Sequence, residues 1–274
     1  MVKKGWTYLL IAVIAIGGIF LLEYNKPKQV NWFPSYVSHH KIPYGTYVLN
    51  ELMEGFFSSR LSQIHKPPFE LLSRNDTVQG TYFFVNESIT FEEAELNALL
   101  DWTSKGNSIF IASSNFEGRL LDTLNLEQTS LYNESELKPH FYHQLVNPNL
   151  KSKTVAFEKD YYTMVFDKID TLNTMVLGEV YVQSDSTDTI EKHINMIRQP
   201  FGQGEIILST FPKAFTNYFI LKDENRAYTA GLLTYLGTEG QILIDNFHKS
   251  GKSFYTSPMY LFLNTKEFKW AYYL

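Results

Sequence analysis

The residues of this 274-residue chain best placed to do chemistry follow its short β-prone runs. Asn86 and Glu87 follow residues 81–85, Ser113, Ser114 and Asn115 follow 108–112, and Thr210 follows 205–208. A last run ends on Asp245, with His248 three residues later. If these runs are parallel strands of one open sheet, their carboxyl ends form a rim, and such rims are where α/β sheets bind ligands. A serine, a histidine and an acid on one rim are the parts of a hydrolase: Ser113 or Ser114 as nucleophile, His248 as base and Asp245 to orient it. That chemistry also needs a serine on a constrained turn beside an oxyanion hole, and Ser113-Ser114-Asn115 lacks the glycines that usually permit one. The competing use of the rim is binding without catalysis, through Asn86, Ser114, Asn115, Asp245 and His248. Asn217 joins that set, because a carboxamide both donates and accepts hydrogen bonds. Capping helices and closing loops is a third role open to the same side chains.

Other motifs exclude more than they offer. The chain has no cysteine, which removes disulfides, thiolate metal sites and cysteine nucleophiles. His140-x-x-His143 would put two imidazoles on one helical face, but Pro139 and β-prone neighbours argue against a helix, and no third ligand lies nearby. His39-His40 reads as a pair of surface histidines. Gly202-x-Gly204 precedes a strand rather than a helix, so it is a hairpin turn and not a phosphate loop. No metal or cofactor is therefore expected. A net charge of -5 argues against nucleic acid, and 44% hydrophobic with 19% charged residues argues for a folded core. The triplets starting at Asn75, Asn86 and Asn133 match the glycosylation pattern, as chance alone produces in an Asn-rich chain.

Several elements must position the rim. Tyr47, Val48, Leu52 and Phe56 recur at helical spacing to about Ser59, and residues 61–64 read as a short strand before Pro67-Pro68. Residues 81–85 form a continuous apolar run, as in a strand buried on both faces, with a turn over 86–89. Thr90 and Glu93 have capping-box spacing, Leu96, Leu99, Leu100 and Thr103 supply one apolar face, and Gly106 suits a left-handed helix end. With 108–112 as the next strand this is a βαβ unit. A strand over 205–208, a helix over 224–236 and a strand over 241–245 form a similar half. Between the halves, roughly 138–200, short alternating segments such as 175–183 and 193–198 read as antiparallel strands inserted into the sheet or extending it.

The chain ends point to a membrane. Lys3 and Lys4 precede 18 residues without charge, Gly5–Leu22, and Glu23 is the first acid. At 1.5 Å per residue that run reaches about 27 Å, close to a hydrocarbon core. Trp6, Tyr8 and Tyr24 suit its interfaces, and the bulky residues before Glu23 offer no signal-peptidase site. Basic residues flank both ends, so orientation rests on the short tail followed by a large domain, which favours export. The expected organisation is an anchor over 1–24, a linker over 25–42, an α/β domain over 43–255 and a membrane-proximal segment over 256–274. The aromatic stretch 268–274 reads as the approach to a second span.

Four stretches recur together in one known family: the N-terminal anchor; Pro43-x-Gly45-Thr46; Glu92-Glu93-Ala94-Glu95-Leu96 running to Gly106-Asn107-Ser108; and Gly202-Gln203-Gly204 followed by Thr216-Asn217. Asp245 to His248 fits the closing strand. In that order they resemble the bacterial membrane-protein family named domain of unknown function 4350. The resemblance implies a flavodoxin-like, class I glutamine amidotransferase-like three-layer sandwich, here with an antiparallel insertion. It also implies a second span, and partners of the MoxR-type AAA+ ATPase and von Willebrand factor A-like classes. The amidotransferase cysteine has no counterpart here, which excludes that triad. The expected protein is an inner-membrane-anchored, extracytoplasmic and non-catalytic scaffold or sensor. The alternative is a serine hydrolase acting on an envelope substrate.

Overall fold

The computed structural model describes residues 2–25, 30–73, 77–133, 140–150, 154–182, 190–237, 239–251 and 271. The segment expected to lead into a second span lies, apart from Ala271, outside them. The chain divides into two compact units, Met1–Asn31 and Trp32–Leu274. The first is one helix, α1 (Val2–Asn25). Its window Gly5–Leu22 has a mean hydropathy of 2.2 and buries none of its residues, so it is long and apolar enough to cross a membrane.

In the second unit the described strands build one mixed sheet. In chain order they are β1 (Leu61–Ile64), β2 (Gly80–Ser88), β3 (Ser108–Asn115), β4 (Glu127–Tyr132), β5 (Phe141–Leu145) and β6 (Val155–Phe157). There follow β7 (Tyr162–Lys168), β8 (Met175–Val182), β9 (Lys192–Phe201), β10 (Gly204–Ser209) and β11 (Gln241–Asp245). The parallel half runs β1-β11-β2-β3-β10. Beyond it β9, β8, β5 and β6 pair antiparallel, and β4 with β7 joins at Phe166 opposite Ile194. The antiparallel insertion thus begins at Glu127, earlier than the alternation from 138 implied. The Gly202 turn between β9 and β10 is a hairpin, with φ +62 at Gly202.

The sheet is covered on both faces because its apolar side chains alternate. Phe83, Val85, Phe110, Ile207 and Ile244 share one core with α2 (Tyr47–Phe57), α6 (Asn217–Leu221) and α7 (Arg226–Leu233). Tyr82, Phe84, Ile109, Ile206 and Leu243 share the other with α3 (Pro68–Leu72), α4 (Glu93–Ser104) and α5 (Gly118–Thr123). Full burial of one such Phe, as at Phe84 and Phe110, is worth about 1.5–3 kcal/mol.

Several sequence expectations shift. β2 continues through the expected turn to Ser88, because Asn86 and Ser88 pair with Ser113 and Asn115 of β3. The capping box uses Glu92 and Glu95 instead of Thr90 and Glu93: a carboxylate takes the place of the expected threonine hydroxyl at the N-cap, and Glu95 Oε2 accepts the Glu92 amide at 2.9 Å. The helix expected over 224–236 is α7 followed by a 3-10 turn, Thr234–Leu236. The stretch read as a linker is packed from Ser35 on, with Ser35, Tyr36, Val37 and His40 all buried. His40 is therefore no surface histidine; its Nδ1 lies 2.7 Å from Ser35 Oγ.

Candidate functional site

The pleat divides the rim in two. Asn86, Ser113 and Asp245 follow Phe84, Ile111 and Leu243 at a spacing of two, on the α4 side; Glu87 and Ser114 follow Val85 and Ala112 on the α2 side.

The α4 side is filled by the chain's own next segment. Asp245 Oδ1 and Oδ2 accept the Phe247 and His248 amides at 3.2 and 3.0 Å, and Oδ1 lies 3.1 Å from His248 Nδ1. His248 Nε2 faces Glu95 Oε2 at 3.5 Å without hydrogen-bond alignment, and its ring packs edge-on to Phe91. Burial pushes this imidazole down, but Asp245 and Glu95 outweigh it and leave its pKa raised. Asn86 Oδ1 accepts from Ser250 N and Oγ at 3.1 and 2.9 Å. Lys249 donates to Val85 O at 2.7 Å, with its ammonium pushed down to about 8 by burial, and Gly251 N donates to Ser35 O at 3.0 Å. Asn86, Asp245 and His248 thus hold residues 247–251 across the rim. Ser113 is fully buried and donates to Asn115 O at 2.7 Å. Asp245 on His248 Nδ1 is the contact a Ser-His-Asp relay would itself use, but His248 Nε2, which such a relay turns to the serine, faces Glu95, and Ser113 Oγ donates to Asn115 O.

The α2 side keeps a cavity of about 170 Å³. Glu87, Ser114 and Thr210 reach it from the ends of β2, β3 and β10, while Asp160 and Lys213 close it. Ser114 Oγ donates to Glu87 Oε1 at 3.2 Å, and the Tyr36 hydroxyl donates to Glu87 Oε2 at 2.6 Å. Lys213 Nζ lies 2.5 Å from Asp160 Oδ1, and both side chains are only 15% and 13% exposed, so the pair is largely desolvated. Burial raises the Asp160 pKa; nearby Glu87 adds to this and Lys213 opposes it. Tyr36 has φ +52 with its side chain fully buried, a backbone region that bulky residues rarely occupy. Sequence reading missed Tyr36, Asp160 and Lys213. Lys213 carried a signal, lying three residues past the rim residue Thr210; Asp160 arrives from the β6–β7 connection of the insertion and carried none.

The remaining candidates scatter. Asn115 is exposed. Asn217 is buried and spent on backbone: its Oδ1 accepts the Val48 amide, and its Nδ2 donates to His40 O and Ile42 O, each at 2.8 Å. Its partners are the loop 40–48, where Gly45 has no room for a Cβ because His40 O would lie 2.0 Å away. His143 sits on β5, stacked 3.7 Å from Phe211 and 2.9 Å from Asn195 Nδ2. Among the described residues no three His, Asp or Glu gather as metal ligands.

Residues 38–233 match the family described as a domain of unknown function, DUF4350. The chain belongs to that family. No curated protein matches this DUF4350 chain. Among solved structures it is similar to the mmIFT52 N-terminal domain, with TM-score 0.49, 11% identity, and coverage of 71% of this chain and 90% of that one. Cytoplasmic protein STM3548 from Salmonella typhimurium gives TM-score 0.40, 10% identity and coverage of 64% and 77%. Exo-β-1,4-mannosidase Op5Man5 from Opitutaceae bacterium strain TAV5 gives 0.38, 10%, 58% and 26%, so the chain spans about a quarter of that enzyme.

Proposed function

We propose that this DUF4350 protein is a membrane-anchored binding domain and not a catalyst, with its ligand in the cavity between Glu87, Ser114, Asp160 and Lys213. The observation that carries this reading is Tyr36. A buried tyrosine held at φ +52, with its hydroxyl on Glu87, is backbone strain kept where it fixes a carboxylate at a rim cavity. The cavity's volume is close to the ~150 Å³ of a site that holds one benzene, so the ligand is small. Two carboxylates beside Lys213 and Lys159 make it polar. The place supports the reading as well: the cavity lies at the carboxyl ends of the parallel strands β2, β3 and β10, the edge where open α/β sheets bind ligands.

In this reading α1 anchors the domain in the cytoplasmic membrane with the α/β unit outside. A MoxR-type AAA+ ATPase or a von Willebrand factor A-like membrane protein reads its occupancy. The hydrolase alternative draws less support: Asp245 does meet His248 Nδ1 as it requires, but His248 Nε2 faces Glu95 instead of a serine, Ser113 donates to Asn115 O and Ser114 to Glu87. The test places a benzophenone amino acid at exposed Asn115 in the full-length protein and crosslinks it in its host membrane. Recovery of an ATPase or von Willebrand-type partner supports the proposal; a protein that crosslinks to neither removes its partner half.

A further inference from the structure

A second cavity, of about 400 Å³, opens beside β6 where the α6–α7 connection passes, and is lined in part by His140, Glu158, Lys222, Asp223, Glu224 and Asn225. Its volume lies in the range of small-molecule sites. Three buried side-chain atoms on these residues have no hydrogen-bond partner: His140 Nδ1, Glu158 Oε2 and Asn225 Nδ2. Asn225 is only 6% exposed, so its amide depends on what enters the cavity. The other Glu158 oxygen is engaged, accepting from the Tyr218 hydroxyl at 2.6 Å and from Lys222 Nζ. Folded proteins seldom leave buried polar atoms unpaired, and three around one cavity call for a ligand that pairs them.

The chemistry of that ligand follows from the atoms left over. A carboxylate oxygen accepts only, and a carboxamide nitrogen donates only. The ligand must therefore donate at one end and accept at the other, while His140 Nδ1 can serve either role. Glu158, Asp223 and Glu224 outnumber Lys222, so the donor is favoured as a cation. We infer that this cavity binds small organic ammonium compounds that also carry a hydroxyl or carbonyl, such as an amino sugar. The ammonium sits on Glu158 Oε2 and the acceptor on Asn225 Nδ2. The site is distinct from the rim cavity, which is lined by the next residues, Lys159 and Asp160.

The test is calorimetric titration of the full-length protein in detergent micelles with glucosamine, against glucose and gluconate. Expected are saturable glucosamine binding, at least about tenfold weaker binding of the uncharged and anionic controls, and a loss of about tenfold or more in Glu158→Gln and in Asn225→Ala. Asn225→Ala keeps the backbone bonds of that residue to Lys222 and Tyr228, so a melt checks that it folds. Glucosamine that does not saturate, gluconate that binds equally, or binding unchanged in both variants overturns the inference. The double variant Asp160→Asn/Lys213→Met is expected to leave glucosamine binding intact, so this site and the rim site fail separately.

Discussion

The Tyr36 hydroxyl donates to Glu87 Oε2 at 2.6 Å across 51 positions of sequence, and the segment that brings it there ends against the far end of the domain at Gly251 N. One strained residue thereby ties the entry of the domain to the carboxyl end of β2. Burial, then the Glu87 charge, raises the phenol's pKa well above its ordinary value, so it remains a donor at any physiological pH. Tyr36→Phe removes that donor and keeps the ring. The expected cost is about 2 kcal/mol, seen as a melting temperature lower by roughly 4–8 °C. An unchanged melt would mean that the bond does not hold Glu87.

Asn217 supports the loop from behind. Asn217→Ala leaves the Val48 amide and the His40 and Ile42 carbonyls without their side-chain partner. The expected loss is roughly 2–4 kcal/mol in denaturant unfolding, with m unchanged. A variant as stable as the parent, yet inactive in partner crosslinking, would instead make Asn217 a contact residue.

The acid limb of stability has a definite sign. Burial, then the Lys213 charge, pushes His143 down to about 3, and burial, then His39, pushes His40 down to about 4. Unfolded, each titrates near 6.5, so below that pH the unfolded chain binds more protons and stability falls. For fully buried His143 the slope is about 1.4 kcal/mol per pH unit. His248 acts oppositely: its folded pKa is raised, so its contribution is complete below 6.5 and is lost as pH rises through the folded value. Melts from pH 7 to 5 are expected to fall less steeply for His143→Gln than for the parent; equal slopes would contradict the assignment.

Much of the fold was legible because alternation and length leave few choices. The apolar runs ending at Val85 and Ala112 could only be buried strands, and Leu96 with Leu99 could only face a sheet. The site was half legible. Rim membership follows from strand ends, but which face a rim residue serves depends on a single step in the pleat. That step separates Glu87 from Asn86 and Ser114 from Ser113. Nor could sequence show that residues 247–251 fold back over Asn86 and Asp245, since those bonds, like that of Lys249 to Val85 O, carry no motif.

Orientation is open to chemistry because the chain has no cysteine. Leu172, 92% exposed in the β7–β8 connection, can be replaced by Cys without touching either cavity. Leu172→Cys in intact cells is expected to react with a membrane-impermeant maleimide. Protection until lysis would put the domain in the cytoplasm.

The rim cavity is tested most directly by native mass spectrometry of the full-length protein released from its own membrane in mild detergent. The comparison is with Asp160→Asn/Lys213→Met, which removes both charges together so that neither is left buried alone. The expected result is a small-molecule adduct on the parent that is absent from the double variant and retained by Asn225→Ala. No adduct on the parent, or the same adduct on the double variant, would contradict a ligand held by Asp160 and Lys213.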